Sequence, residues 1–328
     1  MRRFFLGVDI GGTKSHALIA DETGRAVGFG HAGSGNHEDV GYEGLARTLQ
    51  AVTQQALESA GITRTDLAGA GFGVAGYDWP SERAPTLQAI ASLGLHAPVE
   101  AVNDTIIGLV AGAEDGWGVA LVAGTSNNCR GWDQKHREGR VLGNGVPFGE
   151  YGGSGEVVMK AIHAVASAWT LRSPQTTLTQ KFMALVGARD AADLLEGLSQ
   201  EEYTIGANAA PLVFEAAQEG DAVAAQVIRW AAEELGSLGV GVIRQLGLEA
   251  QEFDVVLVGS LYNGGALFTE PLRETLHAVA PGARLVRLSA PPVVGAVLIG
   301  MQLAGLEIHA VRRTLIDSTL SLMEGVRR

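Results

Sequence analysis

The sequence has very little cysteine and no long apolar run. Cys129 is the only cysteine among 328 residues, which excludes an intramolecular disulfide framework and a cysteine-rich zinc site. The most apolar late stretch, residues 293–305, is too short to span a bilayer. Near the N-terminus, Asp9 and Lys14 interrupt any signal-peptide core. We therefore expect a cytoplasmic protein with no membrane partner.

Positive charge is also scarce. The chain has 24 lysines and arginines against 36 aspartates and glutamates, which gives a net charge of −12. Such an acidic protein is not expected to bind nucleic acid or an anionic membrane surface. The deficit does not exclude ATP, because backbone amides and magnesium hold phosphates without a basic surface.

A flexible linker is missing as well, since no Pro/Ser-rich or low-complexity segment interrupts the chain. The length is sufficient for two domains, each with its own core. Any boundary between them should therefore be a compact hinge, which we expect near residues 112–117.

The first apolar run, residues 4–10, carries Asp9 near its end and is followed directly by a second β-type run, residues 15–20. This pattern predicts a hairpin. Its tip consists of Gly11, Gly12, Thr13 and Lys14. Two glycines allow backbone N–H groups to converge on an anion, and the threonine adds a hydroxyl donor. Asp9 beside such an anion suggests a magnesium ion reached through water. An ordinary tight turn is the alternative.

A strand–helix–strand–helix pattern follows. The strands are expected at residues 67–74 and 99–102, with a helix at 81–93 between them and another helix beginning directly after Asp104. This order implies parallel pairing. Asp104 would then lie at the end of a buried strand, where open α/β sheets place ligands. Helix capping is the structural alternative for this carboxylate.

The opening pattern returns in the middle of the chain. Residues 118–123 form an apolar run, a polar turn with Gly124 and Thr125 follows, and a second run begins at Cys129. Thr13 and Thr125 occupy corresponding places, which suggests an internal duplication. Two such turns facing each other across a cleft would grip a polyphosphate from both sides.

Several fragments together resemble a known family. They are Asp9–Ser15, Ser34–His37, Asn103-Asp104, Gly124–Arg130 and Val258–Ser260. In this order the chain resembles the superfamily of sugar kinases, actin and heat-shock ATPases. Within it, the chain is similar to N-acetylglucosamine kinases and to the dehydratase and benzoyl-CoA reductase activators of the BadF/BadG/BcrA/BcrD ATPase family. The resemblance implies an α/β fold of two ribonuclease H-like (actin-like ATPase) domains, with ATP in the interdomain cleft.

The resemblance also implies domain bounds and an assembly. The N-terminal domain would span residues 1–115 and contribute the sugar site and the first phosphate turn. The C-terminal domain would span residues 116–328 and contribute the second phosphate turn and the adenosine site, and its last helix would pack back on the N-terminal domain. A homodimer is expected by resemblance only.

Site residues follow from the same resemblance. Asp104 would be the catalytic base for a sugar hydroxyl, and Asp9 would orient magnesium. ATP would be bound by Gly11, Gly12, Thr13, Lys14, Thr125, Asn208, Gly259, Ser260 and Gly264. The sugar would be bound by Asn36, His37, Asp104, Ser126, Asn127, Asn128, Asn144 and Glu150. The implied activity is ATP-dependent phosphorylation of the primary hydroxyl of an amino sugar, N-acetylglucosamine or glucosamine.

Three departures from the family pattern lie on the expected sugar side. The family usually has Trp in place of Asn144, Asp-Glu in place of Glu150-Tyr151, and Ser in place of Ala75. They leave phosphoryl transfer intact and leave the identity of the sugar open. Two other functions also stay open: an ATPase activator of a dehydratase or reductase, and a non-catalytic sugar- or ATP-binding protein. The activator normally shares an iron–sulfur cluster between subunits with more than one cysteine from each, against Cys129 alone here.

Overall fold

The computed structural model describes residues 2–326 and contains, over these residues, two five-stranded sheets. The first sheet consists of β1 (Phe4–Ile10), β2 (Ser15–Asp21), β3 (Ala26–Ala32), β4 (Leu67–Val74) and β5 (Val99–Asn103), in the order β3-β2-β1-β4-β5. The second consists of β6 (Gly118–Ala123), β7 (Asn127–Trp132), β8 (Glu138–Arg140), β9 (Phe253–Val258) and β10 (Ala283–Arg287), in the order β10-β9-β6-β7-β8.

The two sheets repeat one topology. In each, the first three strands form antiparallel neighbours, and the fourth and fifth strands run parallel to the first. Short turns suffice for the antiparallel pairs, whereas the parallel strands are reached through helical crossovers. The α/β fold and its two related halves, predicted from the two hairpins and the strand–helix order, are confirmed in the sheets.

Helices cover both sheets. They are α1 (His37–Ala60), α2 (Arg83–Ala91), α3 (Asp104–Gly112), α4 (Ser154–Trp169), α5 (Leu178–Val186), α6 (Ala191–Ser199), α7 (Ala210–Gln218), α8 (Ala222–Leu246), α9 (Ala266–His277), α10 (Val293–Leu303) and α11 (His309–Val326). In the part of the chain that the structure describes, none of these helices is long and apolar enough to cross a membrane.

Helix α1 covers the outer face of the first sheet. Leu6, Val8 and Ile10 of β1 pack with Leu45 and Leu49 of this helix in one buried cluster. These strand positions alternate with residues that face the opposite side, as the pleat of a strand requires. On the second sheet, helix α8 has the corresponding place against β6 and β7.

Helices α3 and α10 lie between the two sheets and contact each other. Helix α10 packs on β1 and β4, and α3 packs on β6 and β7. Glycines allow this close approach. A Cβ on Gly71 would lie 2.1 Å from the carbonyl oxygen of Ala296, and one on Gly295 would lie 1.9 Å from that of Ile107. The sheets are thus joined through two helices, and the first residue of α3 is Asp104.

The structure differs from the sequence expectation at a few element ends. A short helical turn capped by Asn36 precedes the expected helix, and α1 is interrupted at Gly41, which has φ +68°. The continuous helix begins after this kink, at the predicted residue 42. Strand β7 begins at Asn127, two residues before the expected Cys129. Strand β8 was not expected, because its three residues have no apolar pattern. It forms through pairing with β7, where Gly139 lies opposite Gly131.

Candidate active site

Strand ends from both sheets line one cavity of about 570 Å³. The predicted site residues that line it are Asp9, Gly11, Gly12, Thr13, Lys14, Asp104, Ser126, Asn127 and Asn128. Residues that were not predicted complete the wall, among them Glu38, Asp78, Asn103 and Pro292. The structure therefore brings the first hairpin, the β5–α3 junction and the second hairpin together.

A second cavity, of about 500 Å³, lies on the other side of the second hairpin. Predicted nucleotide residues line it: Thr125, Asn208, Ser260 and Gly264. Thr125 and Ser126 are neighbours in sequence but line different cavities, so the hairpin tip lies between the two. The start of α4 is fixed there, because the N–H of Ser154 donates to the carbonyl of Gly124 at 2.8 Å.

Local backbone geometry explains the glycines of this region. Gly259 has φ +113°, and a Cβ on it would lie 2.3 Å from the carbonyl oxygen of Ala123. Only glycine fits there, and it turns the chain after β9 so that Ser260 lines the second cavity. Thr13 and Thr125 are exposed at the two hairpin tips. Their hydroxyls are therefore open to a ligand.

Two carboxylates on the wall of the first cavity have perturbed acidity. Burial, followed by the charge of Asp104, raises the pKa of Asp9 to about 7, against a lowering effect of Lys14. Burial, followed by the charge of Asp78, raises the pKa of Asp104 to about 6, against a lowering effect of Arg130. Asp104 therefore exchanges a proton close to neutral pH, which suits proton transfer, whereas a bound cation would favour the ionised form of Asp9.

Asp78 belongs to a charged network that sequence analysis missed. Arg130 of β7 donates hydrogen bonds to Asp78 and to Glu138. Asn103 donates to the same Asp78 oxygen at 3.1 Å. A signal was available, because Asp78 lies in the turn that follows β4, beside the parallel strand that ends at Asp104. Adjacent parallel strands end at the same sheet edge.

Two predicted sugar residues do not line the cavity. The Asn36 side chain accepts from the N–H of Glu38 at 3.1 Å and so caps α1. The His37 ring stacks on Tyr42 with centroids 4.5 Å apart. Both lie next to a residue of the cavity wall, because a Cβ on the cavity-lining Gly76 would lie 2.3 Å from the Asn36 oxygen and 3.1 Å from the His37 ring.

Glu150 and Asn144 also lie outside the lining residues. The Glu150 carboxylate accepts hydrogen bonds from four successive backbone N–H groups, those of residues 142–145, at 2.6, 2.9, 2.9 and 3.1 Å. These bonds fix a loop whose Gly143 lines the cavity and lies against Asp78. Glu150 therefore organises the loop, and Asn144 provides one of the bound amides.

Phe214 of α7 forms an aromatic wall of the second cavity that sequence analysis did not identify. A Cβ on Gly264 would lie 2.1 Å from this ring, so the glycine lets the backbone pack directly against it. No local pattern indicates this role, because an aromatic residue on an amphipathic helix is ordinarily a core residue.

The chain is similar to a family of ATPases and to two sugar kinases along most of its length. The model of the BadF/BadG/BcrA/BcrD ATPase family matches residues 6–300. An N-acetylmuramic acid/N-acetylglucosamine kinase of Clostridium acetobutylicum is 24% identical over 302 residues, which cover 90% of this chain and 98% of the relative. An N-acetyl-D-glucosamine kinase of Dictyostelium discoideum is 24% identical over 313 residues, which cover 92% and 98%.

The fold matches solved structures as well. A ROK family glucokinase from Streptomyces griseus, solved with glucose and AMPPNP, has a TM-score of 0.55 and 19% identity. The match covers 91% of this chain and 99% of that one. At this identity the likeness concerns the fold alone.

Proposed function

The chain belongs to the BadF/BadG/BcrA/BcrD ATPase family, and on this premise we propose that it is an ATP-dependent sugar kinase. Its substrate is an amino sugar of the N-acetylglucosamine or glucosamine type, phosphorylated at the primary hydroxyl. The observation that carries the proposal is the pair of half-buried carboxylates, Asp9 and Asp104, on a cavity that the second hairpin separates from a nucleotide-sized pocket. The names of the two curated relatives support the same reaction.

In this mechanism Asp104 is the catalytic base. Phosphoryl transfer needs little covalent work from the protein, so catalysis consists of positioning and charge stabilisation. Asp104 accepts the proton of the sugar hydroxyl while that oxygen attacks the γ-phosphorus in line. Its pKa of about 6 leaves it ionised at neutral pH and more basic than an ordinary aspartate.

The nucleotide occupies the second cavity. The adenine and ribose lie near Asn208, Ser260 and Gly264, with the Phe214 ring as an apolar wall. The phosphates extend toward the two hairpin tips, where Thr13 and Thr125 offer hydroxyls. Backbone amides at the glycine-rich turns hold the phosphate oxygens.

Magnesium fits the residues that are present. Within residues 2–326 no group donates a hydrogen bond to the Asp9 carboxylate, and no cluster of three or more acidic, histidine or cysteine side chains forms a closed metal site. Magnesium keeps several of its waters and binds through one or two carboxylates together with phosphates. Asp9 would hold it, and the ion would neutralise charge on the transferred phosphoryl group.

The proposal includes two domains that close on the ligand, residues 1–115 and 116–328. Closure around a bound sugar excludes water, which competes with the sugar as phosphoryl acceptor. The expected hinge, residues 112–117, comprises the last residue of α3 and the short connection to β6. Helix α10 belongs by sequence to the second half, although it packs on β1 and β4.

The chemistry of Cys129 favours a kinase over an iron–sulfur-dependent activator. Cys129 is fully buried in β7, within the core of the second sheet. Burial raises the pKa of its thiol well above the usual range. A cluster shared between subunits needs accessible thiolates, and this cysteine supplies none.

The test is ATP consumption against a panel of N-acetylglucosamine, glucosamine, N-acetylmannosamine, N-acetylmuramate and glucose. We expect turnover with at least one amino sugar, and a phosphorus–proton NMR correlation should place the phosphate on the primary hydroxyl carbon. Activity confined to glucose or to a non-sugar alcohol would refute the substrate class. ATP binding without turnover of any sugar would favour a non-catalytic binding protein.

A further inference from the structure

An ion pair connects the two halves of the chain at the substrate end of the cavity. Asp78 lies in the turn that follows β4 of the first sheet, and Arg130 lies in β7 of the second. One guanidinium nitrogen of Arg130 donates to Asp78, and the other donates to Glu138 of β8. The guanidinium therefore joins the edge region of one sheet to a turn of the other.

The pair is buried. The side chain of Arg130 is 3% exposed and that of Asp78 is 12% exposed. Taking two charges out of water is costly, and a hydrophobic pair of similar volume often gives equal or better stability. A buried pair between two separately built sheets is therefore better explained by the position that it specifies than by the stability that it adds.

The position specified is that of the proposed base. Asn103 donates to Asp78 at 3.1 Å and to the carbonyl of Tyr77 at 3.3 Å, and it directly precedes Asp104. Arg130 follows the cavity-lining Asn128 by two residues on the second hairpin. Asp78 is thus held from both sides, by the residue before the base and by the strand that carries the opposite wall.

We infer that Asp78 and Arg130 are positioning residues, and that their ion pair fixes the separation of the two cavity walls so that Asp104 meets the sugar hydroxyl. The inference rests on the proposed kinase function. Neither side chain touches the reacting atoms in this account. Their effect is transmitted through Asn103 on one side and the Asn127–Trp132 strand on the other.

The test compares single and double variants. Arg130→Met leaves the Asp78 carboxylate buried and unpaired, so the variant should lose both stability and turnover. Asp78→Asn combined with Arg130→Met removes both charges of the buried pair. Glu138 loses its partner but its side chain is 36% exposed and stays hydrated, so stability should return to near the wild-type value. If the pair positions Asp104, the kcat of this double variant should stay about 10²-fold below the wild-type value. Misplacement of a reacting group by an ångström has an effect of that size.

Wall separation is measured directly with spin labels on Thr65→Cys and Gln200→Cys, one exposed site in each half. Cys129 is buried and should not react with the label. With magnesium, a non-hydrolysable ATP analogue and the sugar bound, the distance distribution should be narrow in the wild type and broad in the double variant. Asp78→Asn alone keeps the shape of the side chain but removes its charge, and this variant should broaden the distance distribution as well.

Arg229→Met is the matched control, because Arg229 pairs with Glu274 at 3.1 Å between α8 and α9, and neither residue lines the two cavities. It should leave the distance distribution and kcat unchanged. A double variant that regains stability together with wild-type kcat and label distances would overturn the inference. A wild-type protein that turns over no sugar would instead refute the proposed function, and the label distances would still report on the ion pair.

Discussion

Replacing Asp104 by Asn should separate catalysis from folding. Asn is nearly isosteric with Asp, and the cap of α3 is not Asp104 but Asn103, whose side chain accepts from the N–H of Thr105 at 2.9 Å. Helix α3 should therefore form unchanged. The amide cannot accept the proton of the sugar hydroxyl. Loss of a general base lowers the rate by about 10²–10⁴-fold, or roughly 3–5 kcal/mol in the activation barrier.

The same substitution should stabilise the fold. Burial raises the pKa of Asp104 from 3.8 to about 6, so the folded protein binds this proton more tightly than the unfolded chain does. The favourable contribution of this group is complete below pH 3.8 and is lost as the pH rises through about 6. Above pH 7 the ionised side chain therefore costs folding free energy, of the order of 3 kcal/mol at about 1.4 kcal/mol per pKa unit. A neutral Asn avoids this cost.

The assay uses one preparation for three measurements. Turnover with the best sugar of the panel gives kcat, calorimetry gives ATP affinity, and urea denaturation at pH 7.5 and pH 4 gives the free energy of unfolding. We expect a large loss of kcat, little change in ATP affinity, and a gain in stability that is present at pH 7.5 and much smaller at pH 4. Asp190→Asn is the matched control, because Asp190 caps α6 through the N–H of Asp193 at 2.9 Å.

Two results would refute the reasoning separately. An Asp104→Asn variant that turns over within a few-fold of wild type would remove Asp104 from the mechanism. A variant that is inactive but less stable than wild type at pH 7.5 would show that the ionised carboxylate is not strained by burial, and that the charge has a structural role. Asp190→Asn should leave kcat unchanged, so an equal loss there would point to a general effect of the substitution.

Three further predictions follow from the site and its supports. Below pH 6, wild-type kcat/KM for the sugar should fall at least tenfold per pH unit, because protonated Asp104 cannot act as a base and Asp9, with a pKa of about 7, is protonated as well. A pH-independent kcat/KM between pH 4.5 and 6 would contradict this. Glu150→Gln replaces one acceptor oxygen by a donor against the amides of residues 142–145, so KM for the sugar should rise roughly tenfold, by analogy with lost charge-assisted hydrogen bonds, while calorimetric ATP affinity stays constant. Gly71→Ala should lower the free energy of unfolding by about 1–3 kcal/mol through overpacking against α10, seen as a lower Tm. The control Gly241→Ala, whose Cβ would meet nothing within 4 Å, should raise the Tm slightly. Equal effects of the two substitutions would show that α10 moves away from an added methyl group at no cost.

The parts of the site that sequence could predict are those encoded by local pattern. An apolar run followed by Gly-Gly-Thr and a second β-type run specifies a hairpin, and the run before Thr125 repeats it. Anion binding at the two tips stays a prediction. Asp104 could be placed because a strand end followed by a helix start is itself a topological position. These features depend on neighbouring residues in sequence, so a single chain suffices to find them.

Other features depend on contacts between distant segments, which no local pattern contains. Glu150 was predicted as a sugar ligand, but in the structure its carboxylate is saturated by loop amides. His37 was predicted beside the sugar, but it packs on Tyr42. In both cases the residue type suggested a polar contact, but tertiary packing determines which group the side chain contacts. The sugar contacts of all predicted residues remain predictions.

The duplicated topology also explains how acidic side chains and a polyphosphate can lie in adjoining cavities. In the first half, the ends of β1, β4 and β5 carry or lead into Asp9, Asp78 and Asp104. In the second half, the corresponding strands end in Ala123, Val258 and Arg287.

Carboxylates on both halves would repel a polyphosphate from two sides, whereas neutral turns let backbone amides approach it. The two halves have the same strand order but contribute different groups. The first half carries Asp9, Asp78 and Asp104, and the second half lines the nucleotide-sized cavity. Introducing a carboxylate at Gly124, which has open space around its Cβ position, should therefore weaken ATP binding at low salt more than at high salt, whereas Gly241→Asp on the distant helix α8 should leave ATP affinity unchanged.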